Sequence, residues 1–186
     1  NVAAGRTSFR KLLTLNAMAL GSKPGSMPLY SQADNPGNTV VERPIGDFAQ
    51  DTTNMAKGSK LTTRVQTLDH VLWPVHANGK ASSKPLIPLM KLDAQGYETR
   101  VLLGAKRLLA AGAIHAIKME VAPRWLSQQN TSVKELFELL EGHGFELTDS
   151  SGNAPHAGTI RNLDANFSPF NIVDYIARLK MPAAKK

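Results

Sequence analysis

The sequence predicts an α/β fold with a mostly parallel sheet and an antiparallel pair of strands at its C-terminal edge. From residue 86 onward, strand-like and helix-like apolar patterns alternate along the chain. This alternation is typical of a parallel sheet flanked by helices. The last two predicted strands, at 145–148 and 170–179, have no helix between them. They are therefore expected to pair antiparallel at one edge of the sheet.

The most informative segment is the turn that follows the predicted strand at 86–93. An apolar run leads into Asp93, Gly96 follows, and Glu98 begins a pattern with helical spacing. This arrangement delivers a carboxylate to the carboxyl end of a strand, which is where open α/β sheets bind ligands. The turn therefore holds the leading candidates for functional residues.

Apolar spacing, capping residues and turn residues predict the other elements. Strands are predicted at 11–20, 26–31, 61–67, 86–93 and 114–121, and helices at 68–73, 98–111 and from Ser132 to Gly142 or Gly144. Ser132 and Glu135 have the spacing of a capping box, which marks the start of a helix. Residues 32–60 are rich in polar and turn-forming residues and are interpreted as a long surface excursion, and 149–168 as a loop.

The composition excludes several classes of site. The 186 residues are 42% hydrophobic and 20% charged, which is ordinary for a globular protein. The absence of cysteine excludes disulfides, thiolate catalysis and cysteine-ligated zinc. The five histidines lack the spacing of metal ligands, so no metal site is predicted. No apolar stretch approaches the roughly 20 residues that cross a bilayer, so no membrane span is predicted.

The chain is basic, with a formal net charge of +7 and a pI of about 9.8. Such a charge suits an anionic partner or a crowded assembly. The basic residues are scattered, however, and only 180–186 forms a basic tail. Because no arginine-rich or aromatic-basic pattern accompanies the charge, a nucleic-acid partner is disfavoured.

The turn after the predicted strand also resembles the signature of a known family, the FkbM-type methyltransferases. That signature is Lys-x-Asp-x-x-Gly-x-Glu followed by Val-Leu-x-Gly-Ala, and it stands here as Lys91, Asp93, Gly96, Glu98, Val101, Leu102, Gly104 and Ala105. Further agreement in the expected order is found at Asn16–Gly21, Thr67-Leu68-Asp69, Glu120-Val121 and Gly144-Phe145. The resemblance therefore extends over nearly the whole chain.

The resemblance implies a Rossmann-like sheet of the class I methyltransferase type, with strand order 3-2-1-4-5-7-6. Residues 11–20 would supply strand 3 and residues 86–93 strand 4. The first two strands of the family, with the glycine-rich turn that binds the methionine part of the cofactor, have no counterpart here. Residues 1–180 are thus expected to form a single incomplete domain, with a hairpin and polar insert at 22–67 and a basic tail at 181–186.

Three acids are candidates for catalysis. The resemblance places Asp93 near the methyl group of the cofactor, where it would orient the acceptor, act as a general base or help to hold a metal. Its alternative role is to cap the next helix. Glu98 belongs to the signature, but its position in the first turn of a helix is also explained by the helix dipole. Glu120 ends the neighbouring strand, either facing the acceptor or as a solvated acid paired with Lys91 or Lys118.

The implied cofactor is S-adenosylmethionine, and Asn16 and Ala17 are the candidates for contact with its adenine. The resemblance implies methyl transfer to an oxygen, most simply a sugar (glycan) or small-molecule hydroxyl. Because the glycine-rich turn is missing, the residues of this sequence alone are not expected to bind the cofactor tightly. The alternative is a non-catalytic, methyltransferase-like structural or assembly subunit with protein partners in a larger complex. The sequence predicts no cellular location.

Overall fold

The strands form two separate four-stranded sheets in the computed structural model. The structure describes residues 12–30, 40–41, 61–168 and 171–180. The first sheet contains β1 (Ala19–Leu20), β2 (Gly25–Tyr30), β3 (Val40–Val41) and β4 (Leu61–Gln66). The second contains β5 (Met90–Leu92), β6 (Ala116–Val121), β7 (Phe145–Asp149) and β8 (Val173–Leu179). The helices are α1 (Leu68–Leu72), α2 (Glu98–Leu103), α3 (Lys106–Ala110), α4 (Pro123–Gln128), α5 (Val133–Glu141) and α6 (Ala157–Ala165).

The first sheet has the order β1-β4-β2-β3. Its centre is the antiparallel ladder between β2 and β4, and β3 extends this ladder on the far side of β2. β1 adds a short parallel pair on the other side, in which Ala19 lies opposite Val65. The predicted strands at 26–31 and 61–67 are thus confirmed within about one residue by β2 and β4.

The second sheet has the order β5-β6-β8-β7. β5 and β6 are parallel, with Met90 opposite Ile117, whereas β8 is antiparallel to both β6 and β7. The antiparallel pair at the C-terminal edge is confirmed. The order also agrees with 4-5-7-6, the last part of the order that the resemblance implies.

The prediction of one mostly parallel sheet was wrong. Among the described strands, only β1–β4 and β5–β6 pair in parallel, and the other four pairs are antiparallel. No described strand lies between β1 and β5, which belong to different sheets. Parallel pairing was expected because strands and helices alternate from residue 86 onward, but this alternation produces one parallel pair among the described strands, β5–β6. The antiparallel pairs arise because β2 lies between β3 and β4 in the first sheet, and because β8 returns between β6 and β7 in the second.

The core lies between the helices and one face of the second sheet. Alternate residues of β6, namely Ile117, Met119 and Val121, are buried on this face. They pack with the buried faces of the helices, which include Leu102, Leu108, Leu126, Leu136 and Phe137. Burial of each such side chain contributes about 1.5–3 kcal/mol to folding. The opposite face of β6 carries Lys118 and Glu120, so period-two alternation directs all the charge of this strand to one side.

The prediction of a buried strand over 11–20 was wrong for most of its length. In its described part, only Ala19 and Leu20 are in a strand. Leu12 and Leu15 are 87% and 86% exposed. A buried strand needs hydrogen-bonded neighbours as well as apolar side chains. In the part of the chain that the structure describes, β4 is the sole neighbour of β1, and the apolar pattern alone did not reveal this.

The helix predicted at 98–111 is divided at Gly104 into α2 and α3. A Cβ atom on Gly104 would overlap the carbonyl oxygen of Gly21, which directly follows β1. The N-terminus of α3 is capped by Asp69 of α1, whose carboxylate accepts hydrogen bonds from the backbone N–H groups of Arg107 and Leu108 at 2.9 Å each. This break is therefore the point where the first sheet docks onto the helices of the second.

Two helices were missed. Residues 149–168, predicted as a loop, contain α6, which begins after His156, whose ring Nδ1 accepts from the N–H groups of Gly158 and Thr159. Asp164 of α6 in turn accepts a hydrogen bond from the Val133 N–H at the start of α5, with a distance of 2.8 Å. The second missed helix is α4, which the sequence analysis left unassigned. Histidine is an unusual helix cap, which is why the start of α6 was not recognised.

The helices at 68–73 and after Ser132 are confirmed as α1 and α5. Ser132 and Glu135 form the predicted capping box, with Ser132 Oγ accepting from the Glu135 N–H and Glu135 accepting from the Ser132 N–H. Among the described residues, no helix is long and apolar enough to cross a bilayer. The polar insert at 32–60, apart from Val40–Val41, and the basic tail at 181–186 lie outside the residues that the structure describes.

Candidate active site

A cleft of about 700 Å³ lies where the two sheets face each other. One wall comes from the first sheet and the residues leading into it, and the other from β5, the turn after it and α2. The lining residues are Ala17–Leu20, Leu29, Thr63, Lys91–Gln95, Tyr97 and Val101. The volume is within the range of about 300–1,000 Å³ typical of small-molecule sites.

The turn between β5 and α2 forms one end of this cleft. Gln95 and Gly96 both have left-handed backbone conformations, with φ of 52° and 92°. Gly96 is also pressed against the backbone of Trp125 in α4, so a Cβ atom at this position would overlap the Trp125 carbonyl group. Two independent constraints therefore require glycine at this signature position.

Asp93 is the acid that the turn presents to the cleft. Its side chain is 29% exposed, and Lys91 Nζ lies 2.9 Å from its Oδ2. The side-chain amide of Gln95 donates to Oδ1 at 3.0 Å. One carboxylate oxygen is thus held by Lys91 of β5 and the other by Gln95 of the turn, while the side chain remains partly exposed.

Lys91 is a residue of this site to which the sequence analysis gave no role in the chemistry. Asp93 raises the pKa of the Lys91 ammonium through a hydrogen bond and its charge, and the charges of Glu120 and Asp174 raise the pKa further. The signal was available, since Lys91 is part of the signature and lies two residues before Asp93. Residues two apart on a strand share a face.

Glu98 lies behind the cleft rather than in it. The residue is only 2% exposed, and one carboxylate oxygen accepts a hydrogen bond from the Ala94 N–H at 2.8 Å. Burial raises the pKa of the Glu98 carboxyl, partly offset by backbone hydrogen bonds, and the nearby charge of Asp93 raises the pKa slightly more. Glu98 is not among the described residues that line the cleft.

Glu120 lies on the strand next to Asp93. β5 and β6 pair with Leu92 opposite Met119, so the register continues to Asp93 and Glu120 at their carboxyl ends. Across the sheet, Glu120 is opposite Asp174 of β8. The two candidate acids therefore occupy neighbouring strand ends, but Glu120 is not among the described residues that line the cleft.

The two neighbouring residues predicted to contact adenine differ in their position relative to the cleft. Ala17 lines the cleft, and the exposed Asn16 is not in the described lining. The Asn16 carbonyl oxygen accepts a hydrogen bond from the Met18 N–H at 2.9 Å. Tyr97, which sequence reasoning missed, also lines the cleft, and its hydroxyl contacts the sulfur of Met27 at 3.3 Å across the gap between the sheets.

Several histidines have partners in the structure other than a metal. His156 caps α6, the ring of His143 is bonded to the Leu139 carbonyl oxygen at 2.8 Å, and His76 contacts the Ser82 hydroxyl at 3.1 Å. Within the described ranges, no group of three or more histidine, aspartate or glutamate side chains is arranged to hold a metal ion.

The fold is that of a mixed α/β protein with a cleft at the carboxyl end of β5. Comparison with known families makes this class specific. The model of the FkbM methyltransferase domain matches residues 5–147, so the chain belongs to the FkbM methyltransferase family. Searches of curated proteins and of solved structures gave no match.

Proposed function

We propose that this chain forms part of an S-adenosylmethionine-dependent O-methyltransferase that acts on a sugar or small-molecule hydroxyl. The observation that carries the proposal is the position of Asp93, which reaches the cleft from a strand end and is held by Lys91 and Gln95. Membership of the FkbM family supports methyl transfer as the reaction.

The proposed reaction is an in-line displacement. The acceptor hydroxyl oxygen forms a bond to the methyl carbon as the carbon–sulfur bond of the sulfonium breaks, which leaves S-adenosylhomocysteine. The hydroxyl proton passes to a base, and Asp93 is the acid in the cleft with an exposed carboxylate. Catalysis of this kind depends mainly on positioning, and a general base contributes about 10²–10⁴-fold. Lys91 and Gln95 would keep the carboxylate aimed at the acceptor.

The described residues fit only part of the cofactor. The apolar residues Ala17–Leu20 line the cleft and would form a wall against which an adenine ring can pack. The sequence contains no glycine-rich turn of the type that binds the methionine part of the cofactor in this family. We infer that tight binding of the cofactor requires a polypeptide segment beyond this sequence. Glu120 remains a secondary candidate in this proposal, because it ends the strand next to Asp93.

The test uses the complete polypeptide that contains this sequence. We expect calorimetry to detect binding of S-adenosylmethionine, and an acceptor screen of sugars and small alcohols to detect methyl transfer. Asp93→Asn should reduce turnover by about 100-fold or more because the base is lost, with no change in the thermal midpoint. Glu146→Gln is the matched control, since Glu146 forms an exposed lysine pair with Lys180 at 3.3 Å on the far edge of the sheet.

Two outcomes would contradict the proposal at different levels. Turnover that survives Asp93→Asn would remove Asp93 from the reaction without removing the reaction itself. If the complete polypeptide gives no heat with millimolar S-adenosylmethionine, the enzyme proposal fails. The alternative of a structural or assembly subunit would then be favoured, in line with the absence of a glycine-rich turn from this sequence.

A further inference from the structure

Glu98 is a buried acid whose position the proposed reaction does not explain. Of the acidic residues that the structure describes, Glu98 alone is buried. An ionised carboxylate in the interior is costly unless hydrogen bonds compensate for lost hydration. Its signature position together with this burial indicates a specific task behind the cleft.

The hydrogen bonds of Glu98 identify that task. Its carboxylate accepts from the N–H of Ala94 at 2.8 Å. Ala94 lies between Asp93 and Gln95, the two residues whose side chains are bonded to each other at 3.0 Å. The Ala94 carbonyl oxygen is held as well, because it accepts from the Tyr97 N–H at 3.1 Å. Both backbone polar groups of Ala94 are thus tied to the start of α2.

The turn needs such a tie because its backbone is strained. A non-glycine residue in the left-handed region costs about 1–2 kcal/mol, and Gln95 is in this region with φ of 52°. Strained residues persist only where the surrounding structure determines their conformation. Without the Glu98 bond, the backbone at Gln95 would relax toward ordinary angles, and the Gln95 amide would move away from Asp93.

We propose that Glu98 is a positioning residue, which acts through the Ala94 N–H to hold the Asp93–Gln95 pair toward the cleft. The catalytic meaning of this role rests on the proposed function, whereas the hydrogen bond itself does not. Glu98 would not touch the substrate, since it is outside the described lining of the cleft. This assignment differs from the catalytic role that the signature suggested.

The first test measures the hydrogen bond directly in the chain as it stands. Burial raises the pKa of the Glu98 carboxyl above its ordinary value of 4.5, and the nearby charge of Asp93 raises the pKa further. NMR titration should show an Ala94 amide proton transition with a midpoint above 4.5, and Glu98→Gln should abolish this transition. The proposal would be overturned if the Ala94 amide showed no such transition in the wild type, or if the transition persisted in Glu98→Gln.

An internal control is available in the same spectra. The Ser151 N–H donates to Asp149 at 2.9 Å, and hydrogen bonds from Asn153 and its neighbours lower the pKa of Asp149 below 3.8. The Ser151 amide should therefore titrate below 3.8 in both the wild type and Glu98→Gln. An Ala94 midpoint above 4.5 together with a Ser151 midpoint below 3.8 would show that each amide reports the carboxyl group it is bonded to. A general response of the fold to acid would instead move both amide signals at the same pH.

The second test uses methyl transfer by the complete polypeptide. Glu98→Ala should lower kcat by about 100-fold with little change in KM for the acceptor, since displacement of a catalytic group by about 1 Å has this effect. The kcat of Glu98→Gln should lie within about 10-fold of the wild-type kcat, because the side-chain amide oxygen of glutamine can accept the same hydrogen bond from the Ala94 N–H. A Gln variant as inactive as Asp93→Asn would overturn the positioning role. Absence of all methyl transfer would refute the proposed function, and the NMR result would still decide the hydrogen bond.

Discussion

The two sheets have the same number of strands but contribute differently to the molecule. The second sheet buries one face under its helices, and most of the buried apolar residues belong to this layer. In the first sheet, Val65 of β4 is buried at 1% exposure, whereas Met27 and Leu29 of β2 are half-buried. The second sheet therefore supplies the stability and the acids, and the first supplies one wall of the cleft. The shape of a cleft between these two sheets depends on how firmly the first sheet is held against the second.

The join between the two sheets uses residues from the motifs that resemble the family. Gly104 of the signature contacts Gly21, the last residue of the Asn16–Gly21 stretch. Asp69, from the Thr67-Leu68-Asp69 element, caps α3. The Asp69 N–H also donates to the Gly104 carbonyl oxygen at 3.0 Å. These motif residues thus have architectural roles that bring the walls of the cleft together.

The largest expected effect is a difference in the free energy of unfolding between two leucine-to-alanine variants, one in the helices that cover the second sheet and one in the first sheet. Leu102→Ala should lower the free energy of unfolding by about 3–4 kcal/mol, because it leaves a cavity at a side chain that is 0% exposed. Leu29→Ala should cost about 1 kcal/mol or less, since the half-buried Leu29 already faces the cleft. Urea unfolding of both variants measures the difference. Equal losses would show that the first sheet has a core comparable to that of the second.

A smaller effect is expected from disturbing the contact between the regions. Gly104→Ala should cost about 2–3 kcal/mol, because the added methyl group overlaps the Gly21 carbonyl and forces the first sheet away. Hydrogen exchange should increase mainly in β1 and β4. Gly25→Ala, where nothing lies within 4 Å of the added atom, is the matched control. Unchanged exchange in β1 after Gly104→Ala would argue against this docking contact.

The smallest of the three effects concerns the cap that links α1 to α3. Asp69→Ala should cost about 1–2 kcal/mol, as loss of a helix cap does, and should accelerate exchange of the Arg107 and Leu108 amides. Asp69→Asn should recover part of the loss, because its amide oxygen still accepts one bond. Asp164→Ala, which uncaps α5 within the second region, should cost a similar amount without affecting β1. If Asp69→Ala and Asp164→Ala both accelerated exchange in β1, the two caps would stabilise the whole fold rather than separate parts of it.

Local patterns predicted the elements that carry their own signals. Ser132 and Glu135 announce α5 by a capping box, and Asp93, Gly96 and Glu98 mark a strand end and a turn. The family was also recognisable from these residues, and the match over 5–147 confirms it. Such features depend on interactions within a few residues of the sequence.

The features that were missed depend on contacts between distant residues. The break at Gly104 follows from the approach of Gly21, which is 83 positions earlier in the chain (104 − 21). The exposure of Leu12 and Leu15 follows from which strands pair with β1. At the candidate site, sequence reasoning grouped Asp93, Glu98 and Glu120 because Asp93 and Glu98 belong to the family signature and Glu120 ends the neighbouring strand. Burial separates Glu98 from the other two, and burial is decided by tertiary packing.

The exposed position of Lys91 makes the influence of its neighbours sensitive to salt. Asp93 raises the pKa of the Lys91 ammonium through a hydrogen bond and through its charge, and the charges of Glu120 and Asp174 raise the pKa further. Because the Lys91 side chain is 71% exposed, dissolved ions screen the attraction from these acids. A rise in ionic strength should therefore move the pKa of Lys91 back toward its ordinary value, while the shape of the cleft stays the same.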